Sequence, residues 1–129
     1  ILADALGVPF VYVRSKAKKH GRQNQIEGHL EAGQKVLVIE DLISTGGSSL
    51  EAIQTLENTE VEVIGLLAIF TYEMEYSKQK FEQYNLPVQT LTDFSTLIQV
   101  AQANQYIDQD DLELLNRWRE APSTWSPAM

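Results

Sequence analysis

The chain has no cysteine, which excludes disulfides and thiolate chemistry and suits a reducing cytoplasm. No apolar run approaches the roughly 18 residues that a membrane helix needs. No signal-peptide pattern opens the sequence either, so the protein reads as soluble and cytoplasmic, with no membrane partner. Internal repeats, linkers and low-complexity tracts are missing. So is a broad basic face: the net charge is −8, and an acidic body is a poor nucleic-acid binder. What is present is 129 residues, 43% hydrophobic and 22% charged. That is enough for one core of moderate size, and a single domain over 1–129 is expected.

The scarce positive charge is unevenly spread. Residues 1–22 hold five basic side chains against one acid, Asp4, whereas 23–129 hold five against seventeen. Arg14, Lys16, Lys18, Lys19 and Arg22 crowd around His20 and Gly21. Such a run is usually a solvated face, but like charges this close repel one another, and a small, highly charged anion would supply the missing counter-charge. The first residues, "ILADALG", lack an initiator Met and place Ile1/Ala5 and Leu2/Leu6 at helical spacing. A further N-terminal portion is therefore expected.

Along the chain, residues 1–6 read as a helix end stopped by Gly7, and the β-branched and aromatic "VPFVYV" (8–13) as a strand. Residues 14–25 read as a polar loop and 26–35 as a polar connection. "VLVI" (36–39) has the pattern of a strand covered on both faces. Leu50, Ile53 and Leu56 mark one side of a helix to about Asn58, and "VEVIGLLAIF" (61–70) is a second buried strand. Strand, turn, helix, strand is a βαβ unit, which predicts a parallel sheet with a right-handed crossover. A helix over about 74–85, with Phe81 and Tyr84 inward, and a short strand "VQTL" (88–91) follow. Thr92 or Asp93 is placed to cap a helix through Asn104. Asp108 or Asp110 caps another through Glu120, with Leu112, Leu115 and Trp118 as its buried stripe. The tail from Ala121 reads as irregular.

The chemistry concentrates in "VLVIEDLISTGGSSL" (36–50). In an open parallel sheet, ligands bind beyond the carboxyl ends of the strands, where residues 40–48 are expected. Gly46 and Gly47 allow a tight turn, the amides that follow open a helix and favour an anion, and Ser44, Thr45 and Ser48 add hydroxyl donors. No Lys follows the glycines, so this is not a Walker P-loop, nor does it carry a dinucleotide fingerprint. Glu40 and Asp41 would repel a phosphate but suit the 2- and 3-hydroxyls of a ribose, and they can help hold Mg²⁺ indirectly. Phosphate on one side and a diol on the other describe a ribose 5-phosphate. His29 is assigned no role.

This stretch resembles the phosphoribosyl-pyrophosphate (PRPP) motif of the type I phosphoribosyltransferases: an apolar strand, two acids, two apolar residues and a short Ser/Thr/Gly loop. "VRSKAKKHG" (13–21) resembles in turn the loop of the orotate phosphoribosyltransferases. With both motifs present at family-like spacing, the resemblance covers essentially the whole chain. The resemblance implies an α/β fold of the type I phosphoribosyltransferase kind, a central parallel sheet flanked by helices. It implies a pentosyltransferase that moves the 5-phosphoribosyl group from PRPP to orotate, with Mg²⁺, giving orotidine 5′-monophosphate and pyrophosphate in pyrimidine synthesis. By matching position Arg14, Lys18 and His20 contact the pyrophosphate as the catalytic group, and Glu40 and Asp41 take the ribose hydroxyls. Leu42, Ile43, Ser44, Thr45, Gly46, Gly47 and Ser48 wrap the 5-phosphate, and Ser44 also reaches the orotate. No residue is assigned as a direct metal ligand. The basic loop is expected to reach into the other subunit of a homodimer.

Three positions depart from the family pattern: Ser15 where many members have Lys, Tyr72 where some have an orotate-contacting Arg, and Glu40 for the commoner Asp. A purine phosphoribosyltransferase and a PRPP-sensing regulator without catalysis are the rival readings. "KAKKHG" argues against the first, and no DNA-binding basic face supports the second.

Overall fold

The computed structural model describes residues 1–14 and 25–124. These residues fall into two compact units, one of residues 1–38 and 47–65, the other of 39–46 and 66 onward.

In the first unit, α1 (Leu2–Leu6) ends as expected at Gly7, whose left-handed φ of 64° no side chain would adopt cheaply. Val8 N–H then closes back on Ala3 O at 3.0 Å. The strand expected over 8–13 shrinks to β1 (Tyr12–Val13), because Pro9 has no N–H to give and only the last two residues find a partner. That partner, β2 (Ile26–Glu27), lies in the segment read as a polar connection, paired antiparallel with Tyr12 opposite Glu27. α2 (Gly47–Glu57) buries Ser49, Leu50, Ile53 and Leu56, the stripe its periodicity predicts. The starts of β3 (Lys35–Ile43) and β4 (Glu62–Thr71) also belong here, joined by Glu62 N–H to Gln34 O at 2.9 Å.

β3 differs from its expected form in two ways. It runs on through Glu40 and Asp41 to Ile43, so the acids sit inside the strand rather than after it. Nor is it covered on both faces: Val38 is buried, but Leu37 and Ile39 are about half exposed. The apolar run therefore behaves as a strand more covered on one face than on the other.

The second unit holds the ends of β3 and β4, then α3 (Glu75–Tyr84), β5 (Val88–Asp93), α4 (Phe94–Ala103) and α5 (Gln109–Glu120). The sheet order is β3-β4-β5, with β5 parallel to β4 from Leu66 opposite Val88 to Thr71 opposite Asp93. Ile43, Leu66, Ala68, Met74, Phe81, Phe94 and Ile98 form the core of this unit. Two of the anticipated caps are real. Asp93 accepts from Thr96 N–H at 2.7 Å, and Asp108 and Asp111 form a reciprocal capping box at the start of α5. Tyr84, Leu112, Leu115 and Trp118 are only half-buried, so the stripe on α5 is a contact edge rather than a buried seam.

Candidate functional site

Two carboxylates stand at successive positions near the end of β3: Glu40 is half-buried and Asp41 exposed. Leu42 is exposed, while Ile43 turns into the core at 2% exposure. There Tyr72 N–H donates to Ile43 O at 3.0 Å, tying the last residue of β3 to the first residue after β4. The turn that follows puts Ser44 and Thr45 in solvent and buries Gly46.

Gly46 combines a left-handed backbone with close packing. Its φ is +74°, and a Cβ there would lie 3.0 and 3.1 Å from ring carbons of Phe81 and 3.4 Å from Ser77 Cβ. α3 therefore backs the turn directly. Ser77 itself is 2% exposed and holds its own helix turn by donating to Met74 O at 2.7 Å. Beyond Gly46 the chain enters the first unit, where Gly47 and the exposed Ser48 open α2. Amides in a first helical turn have no partner inside the helix and can be donated to an anion.

Of the basic loop, Arg14 lies within the described residues; Lys18 and His20, with residues 15–24 generally, lie outside them. Arg14 ion-pairs with Glu27 across the β1–β2 ladder, and its N–H donates to Gln25 O at 2.7 Å. The two ends of the loop are thus held together by backbone. His29, assigned no role, is exposed and meets Glu31 at 3.2 Å.

A second set of side chains gathers where β4 ends. Tyr72, at the position of a family arginine, packs its ring against Phe70, Phe94 and Trp118, with centroids 5.2 to 5.7 Å apart. Glu73 has a left-handed φ of 55°. Its Oε2 accepts from Ser95 N–H at 2.9 Å, Ser95 O–H at 2.5 Å and Arg119 at 3.1 Å. Arg119 also donates to Ser95 Oγ at 2.6 Å. Glu73 lines an open cleft of about 650 Å³ together with Ile43, Thr71, Phe81, Thr90 and Asp93. Asp93 is held below its ordinary carboxyl value, first by the Thr96 backbone N–H, then by the Thr96 side chain and Arg119. Sequence reasoning missed the Glu73–Ser95–Arg119 group because its members lie far apart in the chain, and no local pattern marks them.

Among the described residues no group of three or more His, Asp or Glu side chains could hold a metal by itself. An ion that keeps its waters and rests mainly on a phosphate-bearing ligand, the usual way Mg²⁺ is held, would need no more than one such carboxylate from the protein.

The phosphoribosyl transferase domain family matches residues 1–102. An orotate phosphoribosyltransferase of Streptococcus agalactiae is 50% identical over 125 residues, covering 97% of this chain and 60% of that protein. This chain thus spans about 60% of the length of such a relative. The structure of Leishmania donovani UMP synthase superposes with a TM-score of 0.74 over 92% of this chain and 25% of that one, at 22% identity, a likeness of fold. A Mycobacterium tuberculosis orotate phosphoribosyltransferase, solved in complex with PRPP, gives a TM-score of 0.57 at 26% identity over 68% of this chain and 49% of that one. With an acid pair on β3, a left-handed glycine turn and a helix opening directly after it, all inside the matched span, the chain belongs to the phosphoribosyltransferase family.

Proposed function

We propose that the protein of which this chain is part is an orotate phosphoribosyltransferase, joining C1 of the ribose of PRPP to a ring nitrogen of orotate as the C1–O bond to pyrophosphate breaks. The observation that carries this reading is the succession Glu40, Asp41, Ser44–Gly46 and the α2 N-terminus within nine residues of chain. Along the chain, acceptors suited to a sugar diol are followed directly by donors suited to a 5-phosphate. The choice of orotate rests on "VRSKAKKHG" and on the names of the relatives at about 50% identity.

Breaking the C1–O bond builds positive character on the sugar, as in glycoside cleavage, and negative charge on the leaving group. Arg14, Lys18 and His20 would stabilise that charge where it develops. Glu40 and Asp41 would orient the ribose by accepting from its hydroxyls, with Ser44 in reach of both phosphate and orotate. Mg²⁺, when bound, would neutralise part of the pyrophosphate charge. Closure of the basic loop would keep water from the activated sugar. The reading extends to residues 1–129 as part of one phosphoribosyltransferase domain, to a cytoplasmic homodimer and to a loop shared across its subunits.

The test is turnover by the full-length protein given PRPP, Mg²⁺ and either orotate or a purine, followed by pyrophosphate release and, in the orotate arm, by loss of orotate absorbance. Orotate is consumed if the reading holds. Turnover with the purine alone, or with neither base, overturns it. Lys18→Ala should lower turnover far more than it weakens 5-phosphate binding; equal losses would mean the loop does not act on the leaving group.

A further inference from the structure

α5 lies beyond the span that the family matches, residues 1–102, yet two of its residues reach the end of β4. They do so in register. Trp118 meets Tyr72 edge-on at 5.4 Å, and Phe94 completes the ring cluster at 5.5 and 5.7 Å. One residue further along each segment, Arg119 meets Glu73, and Ser95 bonds to both. Three consecutive pairs, 72–73, 94–95 and 118–119, therefore make an apolar layer and a polar layer of one joint. All six residues lie within the second unit.

The joint has something to hold. Glu73 is in the left-handed region, which disfavours any side chain but bends the chain from β4 into α3. Its N–H is taken by Thr71 Oγ1 at 3.0 Å and its carboxylate by three donors, so the bend is over-determined. The neighbouring Tyr72 N–H is the group that fixes Ile43 O. Ile43 immediately precedes Ser44, so the restraint ends one residue from the turn.

We propose that Trp118 and Arg119 are positioning residues for the anion-binding turn: α5 locks the end of β4, and the Tyr72–Ile43 hydrogen bond carries that restraint to Ser44–Gly46. This rests on the reading that the turn binds a phosphate.

The experiment is amide hydrogen exchange on the full-length protein carrying Arg119→Gln or Arg119→Lys, with the affinity for inorganic phosphate measured alongside. In Arg119→Gln the Tyr72 amide should exchange about tenfold faster while the Ile53 and Leu56 amides of α2 stay at the wild-type rate. Phosphate should bind several-fold more weakly, and Arg119→Lys should restore most of both. Wild-type protection at Tyr72, or equal acceleration of every amide, overturns the lock, the second because it marks general destabilisation only. Should Arg119→Gln fail to fold, Ser95→Ala removes one donor from the joint and is read the same way. A wild-type protein that binds no phosphate would sink the ribose-phosphate reading and leave the exchange data to judge the lock.

Discussion

The ends of β3 and β4 both need a left-handed residue, and they hold it by opposite means. At the end of β3 the residue is Gly46, with φ 74° and Phe81 occupying the space a side chain would take. At the end of β4 it is Glu73, with φ 55° and a carboxylate bound by three donors. The first bend is held by shape, and a Cβ there would press on the Phe81 ring. The second carries the strain of a side chain and offsets it with charge-assisted hydrogen bonds, each worth about 1.5–3 kcal/mol where water is largely excluded. Glycine leaves the backbone of the turn bare for a ligand, whereas glutamate makes the bend a point of attachment for two other helices.

This contrast can be broken from either side. The largest effect is expected at Gly46: Gly46→Ala combines left-handed strain with overlap against Phe81 and should cost about 3 kcal/mol in denaturant unfolding. Adding Phe81→Leu to Gly46→Ala should recover about 1 kcal/mol of it, a coupling that a double-mutant cycle reads directly. At Glu73 the order of substitutions reverses the usual rule. Glu73→Ala should cost about 2 kcal/mol by leaving Arg119 and Ser95 without their acceptor. Glu73→Gly should cost about 1 kcal/mol less, because glycine relieves the φ strain. Equal losses would mean that the joint stores no strain.

A smaller effect belongs to Asp93, which caps α4 beside the same joint. Asp93→Ala should cost about 1 kcal/mol. Because its folded-state carboxyl sits below the ordinary value, Asp93 stabilises the fold above the normal carboxylate range, and that contribution is lost as pH falls through the depressed value. Asp93→Asn, which keeps a capping oxygen, should flatten the acid limb of the stability curve while changing neutral stability little. The smallest effect is expected at Asp108, an exposed cap on α5, where Asp108→Ala should lower stability by about half a kcal/mol.

How much of this could be read from the sequence follows the same division. The β3 turn is contiguous: an apolar run, two acids and two glycines fall within a dozen residues, and each limits backbone or charge locally. The helices at 47–57, 94–103 and 109–120 were legible through their stripes and caps, as Asp93 and Asp108 show. β2 was not, because Ile26–Glu27 owes its extended form to β1 rather than to its own composition. The exposure of Leu37 and Ile39 was hidden for a related reason, since composition records what a strand can bury and not what lies over it. The Glu73–Arg119 pair is separated by 46 residues and had no local signal at all.

The account turns on a division of labour at β3, with Asp41 and Glu40 facing sugar hydroxyls and the glycine turn holding phosphate. Affinities of the full-length protein for ribose 5-phosphate and for inorganic phosphate, measured by calorimetry on the wild type and on Asp41→Asn, test it directly. The account predicts that Asp41→Asn weakens ribose 5-phosphate about tenfold while inorganic phosphate binds as well as before or better, a carboxylate having been removed from its neighbourhood. Equal weakening of both ligands, or no change in either, would contradict it.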